Sequence, residues 1–168
     1  KSTRAAKDFP LWALTRNPEL RVVVASYAQR LADRNGRAIR NTITNHPTIG
    51  HTIARDHGSV SEWTLDGHQG GVYSVGIGGA LTGRPADLLI IDDPIKDRKE
   101  ADSKVFRDNV WDWWTDTAST RLAPGAPAIL ILTRWHHDDL AGRLTTAPDG
   151  HLWQVINIPA QCEDPTTD

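Results

Sequence analysis

The chain contains three short runs built around four or five consecutive aliphatic residues, and they limit its choice of fold more than any other feature. They are Arg21–Tyr27 (R-V-V-V-A-S-Y), Leu88–Ile91 and Ala128–Leu132. Runs of this kind are typical of strands buried on both faces of a parallel sheet. Stretches with apolar residues at helical spacing lie between them. The alternation predicts an α/β fold, with a mostly parallel sheet and helices on both faces.

Helical spacing of apolar residues predicts four helices, and turn residues mark where several of them end. Pro10 falls inside the first helix, where a kink is expected. The predicted helices are Ser2–Arg16, Ala28–Ile43, Glu100–Leu122 and Asp138–Thr145. Asp66-Gly67 predicts a hairpin that leads into Val72–Val75, and a last strand is predicted at Gln154–Ile158.

Composition narrows the class of protein. A length of 168 residues suits one domain, and the single cysteine, Cys162, excludes an internal disulfide. The net charge of −2 argues against a domain that coats nucleic acid, because such domains are usually strongly basic. Aliphatic runs of four or five residues are far too short to cross a membrane, so no membrane partner is expected.

The ends of the chain predict a piece of a longer protein. The sequence has no methionine, begins directly at a helical pattern and ends in a polar tail. We therefore expect an N-terminally truncated domain over residues 1–160 and the start of a linker over 161–168.

The dipeptide Lys1-Ser2 matches the last two positions of a phosphate-binding P-loop, which reads G-x-x-x-x-G-K-[ST]. In that motif the lysine reaches the β- and γ-phosphates and the hydroxyl binds Mg²⁺. The glycine positions are not in the sequence, and Lys-Ser-Thr is also common in surface turns. Lys1-Ser2 therefore indicates a P-loop only in combination with the motifs that follow.

Two carboxylates, Asp92 and Asp93, end the apolar run Leu88–Ile91. This is the Walker B pattern, in which the first acid completes a Mg²⁺ site and the second orients or deprotonates the attacking water. A strand followed by an Asp-Pro turn gives the same pattern. From these residues alone both interpretations stay open, and Lys1-Ser2 upstream favours an ATPase.

The third apolar run ends in Thr133 and Arg134. In P-loop motors, a polar tip on the strand beside Walker B senses the γ-phosphate and couples hydrolysis to motion. An ordinary strand that ends in polar residues has the same appearance. The order of the three motifs favours a P-loop NTPase-like sheet, whose ligands bind at the carboxyl ends of the strands.

Longer stretches resemble the large subunit of tailed-phage terminases. Gly71–Ser103 is similar to the Walker B neighbourhood of that family, and Ile131–Leu144 (I-L-T-R-W-H-H-D-D-L-A-G-R-L) is similar to its coupling motif and the following helix. Lys1-Ser2-Thr3 falls where the family's Walker A motif ends. Further similarity lies in Trp111–Trp114 (W-D-W-W), Thr120–Pro127 (T-R-L-A-P-G-A-P) and Ile158–Ala160 (I-P-A).

The resemblance implies the ATPase domain of a viral DNA-packaging motor that uses ATP and Mg²⁺. It also implies that the linker at 161–168 leads to a nuclease domain that is absent from this chain. Such a motor works as a homo-oligomeric ring on the portal protein, together with the terminase small subunit. It drives double-stranded viral DNA into the procapsid, in the host cytoplasm.

The resemblance also assigns roles to residues. Lys1, Ser2, Thr3 and Asp92 would bind the nucleotide, with Ser2 and Asp92 also holding Mg²⁺. Asp93 would be the catalytic carboxylate, although P-loop motors more usually have glutamate there. The remaining catalytic candidates are Thr133, in the coupling motif, and two possible arginine fingers, Arg84 and Arg134.

Two other hypotheses remain open. The chain would be a helicase-like P-loop ATPase if ATP hydrolysis drove strand separation. It would be a non-catalytic remnant if the incomplete Walker A motif left it unable to bind ATP.

Several other patterns have simpler explanations than a functional site. Four histidines over residues 46–68 have no compact spacing for zinc, and in residues 136–139 (H-H-D-D) helix capping explains the acids better than a metal does. A two-metal nuclease built from Asp92, Asp93 and Asp97 is disfavoured by Lys1-Ser2. The tryptophans at 111, 113 and 114 have core spacing, which we prefer to stacking on bases.

Overall fold

The computed structural model describes residues 1–157, and all their side chains except those of Asp56 and His57. The expected boundary at residue 160, the I-P-A stretch and the predicted linker lie outside the described residues. Among the described helices, none is long and apolar enough to cross a bilayer.

In the part of the chain that the structure describes, a six-stranded sheet lies at the centre, in the order β2-β3-β4-β1-β5-β6. β4, β1, β5 and β6 run parallel, whereas β2, β3 and β4 pair antiparallel. The prediction of a mostly parallel α/β sheet is therefore confirmed. The strands are β1 Arg21–Ser26, β2 Ile53–Gly58, β3 Glu62–Leu65, β4 Gly71–Gly76, β5 Leu88–Asp92 and β6 Ala128–Ile131.

Within residues 1–157, five α-helices flank the sheet, and shorter turns of π- or 3-10 helix extend or link them. The α-helices are α1 Phe9–Arg16, α2 Gln29–Asn45, α3 Arg98–Asp102, α4 Lys104–Asp112 and α5 Leu140–Thr146. The π-helical segments are Arg4–Asp8 and Trp113–Ala118, and the 3-10 turns are Pro47–Ile49, Ser119–Arg121 and Gly150–Leu152.

The central strands bury both of their faces. Alternate side chains of a strand point to opposite sides, so Val22 and Val24 pack toward α1 and α2, whereas Val23 and Ala25 pack toward α4 and α5. Each fully buried valine, leucine or isoleucine contributes about 1.5–3 kcal/mol to folding. Two apolar layers thus hold helices on both faces of the sheet, as the sequence predicts.

The first predicted helix forms, with a change at Pro10. Residues 4–8 adopt π-helical hydrogen bonding, in which the Phe9 amide donates to the Arg4 carbonyl. Proline has no amide hydrogen and its ring crowds the carbonyl four residues earlier. The wider turn directly before Pro10 accommodates this, so the expected disturbance takes the form of a π-helical segment.

The predicted long helix Glu100–Leu122 is wrong as a single element. Ser103 is extended, at φ −81° and ψ 117°, and separates α3 from α4. After Asp112 the helix widens into the π-helical segment Trp113–Ala118 and ends in a 3-10 turn. The wider turn places Trp113 and Trp114 together in the core, at 5% and 9% exposure.

The predicted strand Gln154–Ile158 is also wrong over the part that the structure describes. Residues 154–157 have no strand partner in the described sheet, and Val155 and Ile156 are largely exposed. Their apolar run is a valid strand pattern, but a strand also needs a neighbour to receive its backbone hydrogen bonds. Ile158 lies outside the described residues.

Candidate active site

The residues of interest lie where three parallel strands end. Ser26 of β1 is in register with Asp92 of β5, which in turn is in register with Ile131 of β6. The chain leaves the sheet next to these positions, at Tyr27, Asp93 and Leu132. In open α/β sheets this edge is where ligands bind, because the loops that leave the strands converge there.

Lys1 and Thr133 meet at this edge although 132 residues separate them. The Lys1 Nζ atom donates a hydrogen bond to Thr133 Oγ1 at 2.8 Å. The first helix starts immediately, because the Ala5 amide donates to the Lys1 carbonyl at 3.1 Å. The structure therefore places the start of the first helix beside the end of β6, with Ser2 half-buried and Thr3 exposed.

Asp92 is buried at 2% exposure, and its two carboxylate oxygens have different surroundings. The Oδ2 atom accepts a hydrogen bond from Asn35 Nδ2 at 3.3 Å, whereas Oδ1 has no hydrogen-bond partner among the described residues. Leaving a buried carboxylate oxygen unpaired is costly. Mg²⁺ prefers such oxygen ligands, so the donor set at Asp92 fits a magnesium ion. No described hydrogen bond joins Ser2 to Asp92.

Asp93 has an unusual backbone. Its φ of +48° lies in the left-handed region, which residues other than glycine, asparagine and aspartate rarely adopt. Backbone hydrogen bonds hold it there, because its amide donates to Ile131 at 2.8 Å and its carbonyl accepts from Tyr27 at 3.1 Å. Strained positions of this kind persist where the surroundings over-determine them, and they cluster at functional sites.

Burial raises the pKa of the Asp93 carboxyl above its ordinary value, and the adjacent charge of Asp92 raises it further. Lys1 and a backbone hydrogen bond from Thr133 act in the opposite direction. Two carboxylates and one ammonium group thus interact at this edge. A carboxylate with a raised pKa is a better proton acceptor than a free one.

Arg84 lies elsewhere. Its guanidinium bonds Glu62 Oε2 at 2.9 Å and stacks 4.4 Å from the ring centre of Tyr73. Both partners belong to the antiparallel side of the sheet, and β1 separates that side from β5. Arg84 therefore does not join Lys1 and Asp93 within this chain, and its role as an arginine finger stays a prediction about a neighbouring subunit.

Arg134 contacts the start of α5. Its Nε atom donates to Asp139 Oδ2 at 2.6 Å, and its Nη2 donates to the His137 carbonyl at 3.2 Å. The other oxygen of Asp139 caps α5 by accepting from the Gly142 amide at 2.8 Å. Thr133 and Arg134 are adjacent in the chain, yet one contacts Lys1 and the other the cap of α5. The finger role of Arg134 also stays a prediction.

Asp138, the third residue of the H-H-D-D stretch, forms ion pairs. Arg143 binds it through Nε at 2.7 Å and Nη2 at 2.8 Å, and Arg107 Nε reaches it at 3.1 Å. These bonds hold its pKa well below the ordinary value, with Arg143 as the larger cause. Asp139 thus serves as a helix cap and Asp138 as an ion-pair partner, so neither needs a metal to account for its position. The described residues also contain no cluster of three or more metal-binding side chains.

Asn35 is the residue of this site that the sequence reasoning missed. It lies on α2 with 1% exposure and is the only described side chain that hydrogen-bonds Asp92. A signal was available, because an asparagine between Ala32 and Ile39 on the apolar face of a helix is out of place unless it has a polar partner. Ser26, beside Asp92 in the register, has a buried hydroxyl without a described partner.

A cleft of about 510 Å³ opens near the same edge but on the α4 face of the sheet. Apolar side chains and three acids line it, and Lys1, Asp93 and Thr133 are not among the lining residues. The lining includes Tyr27, Ile77, Phe106, Glu100, Asp112 and Asp116. The convergence of motif residues therefore marks the candidate site better than the size of the cleft does.

Comparison with protein families gives a match over residues 1–167 to the family described as terminase large subunit, T4likevirus-type, N-terminal. The terminase large subunit of Enterobacteria phage T3 is 30% identical over 109 residues. That alignment covers 61% of this chain and 18% of the phage T3 protein. The chain thus corresponds to a small part of the length of this relative.

Proposed function

The chain belongs to the terminase large subunit family, and on that premise we propose that it is the ATP-hydrolysing motor domain of a DNA-packaging machine. In this proposal, hydrolysis of ATP is coupled to movement of double-stranded DNA into a procapsid. The motor domain spans residues 1–160. Its partners are those of a packaging complex in the host cytoplasm: a ring of like subunits, the portal protein and the terminase small subunit.

One observation carries the proposal. Lys1, Asp93 and Thr133 come from three separate motifs, and the hydrogen bond of 2.8 Å between Lys1 and Thr133 joins the first of these motifs to the last. Lys1 also acts on the pKa of Asp93. An ordinary surface turn at residues 1–3 would give no reason for this convergence at the carboxyl edge of a parallel sheet.

The nucleotide is held by groups at this edge. Lys1 binds the β- and γ-phosphate oxygens, and Ser2 and Thr3 contribute hydroxyls and amides at the start of the helix, where the helix dipole favours anions. Asp92 and Ser2 hold Mg²⁺. When bound, the ion supplies positive charge that offsets the charge on the phosphate oxygens.

Asp93 orients the attacking water and accepts its proton. Its fixed backbone sets the direction of the carboxylate, and its raised pKa makes it a stronger base than an exposed aspartate. Thr133 loses Lys1 as a donor when the lysine turns to the phosphates, so its hydroxyl becomes free to sense the γ-phosphate. Arg84 or Arg134 supplies the arginine finger after release from its carboxylate partner.

The proposal is tested by the substitution Asp93→Asn, measured in the intact gene product that contains this chain. ATP turnover in the presence of Mg²⁺ should fall by ~10²–10⁴-fold, which is the usual contribution of a positioned base. Asparagine tolerates the left-handed backbone, so the loss reports the carboxylate and not the fold.

The matched control is Asp97→Asn. Asp97 caps α3 by accepting from the Glu100 amide at 3.0 Å, and the side-chain oxygen of asparagine can accept the same hydrogen bond. This variant removes the same charge four residues away and should keep wild-type turnover. Turnover in Asp93→Asn equal to that of the control would remove Asp93 from the mechanism. A wild-type protein that hydrolyses no ATP would contradict the proposed function itself.

A further inference from the structure

The outward face of α2 carries a line of arginines. Arg30, Arg34 and Arg37 are all exposed, and their spacing of four and three residues places them on one side of the helix. Neighbours in the line rise by about 6 and 4.5 Å along the helix axis. We call these three residues the arginine stripe. The opposite side of the helix is buried and consists of Ala32, Asn35, Gly36, Ile39 and Ile43.

The charge of the stripe is not neutralised by the side chains that the structure describes. None of the three arginines lies within ion-pair distance of a described carboxylate, whereas Arg21, Arg84 and Arg134 all do. The only acid of α2 is Asp33, which accepts a hydrogen bond from Gln29 at 2.8 Å. In a chain of net charge −2, the stripe is a local concentration of positive charge.

The composition of this face indicates the chemistry of its partner. Asn41 and Thr44 continue the line, and they too are exposed and polar. Arginine is also enriched at protein interfaces, but this line has no aromatic or aliphatic side chain to form the apolar core of such an interface. Arginine, asparagine and threonine are residues that contact the phosphates and sugars of DNA. Interfaces with DNA are also more polar and more positively charged than interfaces between proteins.

The stripe is directly connected to the candidate active site. α2 follows β1 at the carboxyl edge of the sheet, and on its inner side Asn35 donates to Asp92 at 3.3 Å. A single helix of 17 residues therefore has one face against the Walker B aspartate and the other open to a ligand.

We propose that the arginine stripe binds the phosphate backbone of double-stranded DNA without reading its sequence. This inference rests on the proposed function, since it names the surface by which the motor domain holds its substrate. Each arginine contacts phosphate through charge-assisted hydrogen bonds.

The test is the triple variant Arg30→Gln/Arg34→Gln/Arg37→Gln in the intact gene product. Binding to a 30-bp duplex, a length of about three helical turns, is followed by fluorescence anisotropy over a salt series. The logarithm of the binding constant falls with the logarithm of salt by about 0.9 for each phosphate contact. The variant should therefore lose about 2–3 units of this slope and bind at least ~10-fold more weakly at low salt.

Two control variants accompany it. Lys96→Gln/Arg98→Gln/Lys99→Gln removes the same charge from exposed positions near α3 and should keep the wild-type slope. A triple Arg→Lys variant of the stripe should also keep most of the slope, because lysine neutralises phosphate as a point charge. The three single Arg→Gln variants should each lose about one unit, which tests the inference again if the triple variant folds poorly.

The stripe is not a DNA surface if its Arg→Gln variants keep the wild-type salt slope, or if the α3 control loses as much affinity. Loss of binding to a protein component of packaging with unchanged DNA binding would also overturn the inference. ATP turnover without DNA, measured on the same samples, distinguishes failure of the proposed function from failure of the DNA-binding inference. No turnover in the wild-type protein defeats the proposed function, whereas normal turnover with unchanged DNA binding in the stripe variant defeats only the inference.

Discussion

Asp93 combines a left-handed backbone, a half-buried carboxylate and a neighbouring acid. When the carboxylate is ionised, each of these three features raises the free energy of the folded state. Such costs are expected where a side chain is held for chemistry and not for stability. The fold tolerates Asp93 because backbone hydrogen bonds to Ile131 and Tyr27 fix its position.

A prediction about stability follows from the pKa of Asp93. Because the folded-state pKa is raised, ionisation weakens the folded state, and this cost is fully present above the folded pKa and absent below the ordinary value of about 3.9. Asp93→Asn should therefore raise the melting temperature of the nucleotide-free protein at pH 7. A gain of ~1 kcal/mol would correspond to about 2–4 °C.

The gain should shrink as the pH is lowered toward 4, which thermal melting followed by circular dichroism can measure. Asp97→Asn should show the opposite sign. Its backbone hydrogen bond from Glu100 lowers the pKa of Asp97, so the ionised form stabilises the fold at neutral pH. A lower melting temperature for Asp93→Asn at pH 7 would mean that the carboxylate has favourable contacts that outweigh its burial.

The sequence alone predicted several residues of the site and missed others. Asp92, Asp93 and Thr133 could be anticipated together, because the carboxyl ends of parallel strands meet at one edge. The contact of Arg84 with Glu62 and Tyr73 could not, because it depends on the register of a hairpin that no local pattern specifies.

At the scale of elements, α2 owes its position to a close approach on β4. A β-carbon added at Gly36 would overlap Ser74 Oγ, which is buried and has no described hydrogen-bond partner. Only glycine lets the helix backbone come this near to the strand. The approach also sets the depth at which Asn35 can reach Asp92.

The substitution Gly36→Ala should destabilise the protein although alanine is the better helix former. Alanine gains about 1 kcal/mol in helix propensity, but overpacking a tight site costs about 1–3 kcal/mol. Urea unfolding gives the free energy difference. In the background Ser74→Ala the overlapping hydroxyl is gone, so Gly36→Ala should become neutral or stabilising. An equal loss in both backgrounds would show that Ser74 is not the obstacle.

The elements differ in how far local sequence determines them. β1 and β5 were predicted because they are apolar runs that both layers of helices cover. β6 was predicted from its apolar run although it stands last in the described strand order and is only partly buried. β2 was missed because it is an edge strand whose pairing with β3 is irregular and whose sequence includes Arg55. The break at Ser103 was missed because the residues on both sides favour helix, and only packing fixes where the chain turns.

At the scale of the whole molecule, ion pairs join α5 and the residue before its cap to α4. Arg143 of α5 binds Asp138 and also Asp108 of α4, the latter at 2.8 Å, and the buried Arg107 of α4 binds Asp138. This network adds charged contacts to the apolar core that α4 and α5 share. We expect the free energy of unfolding to fall when acid protonates Asp138.

The substitution Asp138→Asn should lower the free energy of unfolding at pH 7 by about 1 kcal/mol, once the usual value for charged hydrogen bonds is reduced for partial solvent exposure. The pKa of Asp138 is depressed in the folded state, so its contribution is full above the ordinary value of about 3.9. It is lost as the pH falls further, toward the folded-state pKa.

Urea unfolding from pH 8 to pH 3 measures this difference. Wild type and variant should differ by a constant amount down to pH ~5 and should converge on further acidification. Asp102→Asn is the control, because Asp102 pairs with Arg98 at 3.5 Å on an exposed surface, where such pairs contribute little. A gap between wild type and Asp138→Asn that widens in acid would contradict the assigned direction of the pKa.

The hydrogen bond between Lys1 and Thr133 also determines how early in protein synthesis the candidate site can form. A chain grows at ~5–20 residues per second, so the 132 residues from Ser2 to Thr133 take roughly 7–26 s to synthesise. During that interval Lys1 exists without its hydrogen-bond partner beyond β6. If the proposed function is correct, a nascent chain on the ribosome should therefore be unable to consume ATP until β6 has emerged and docked.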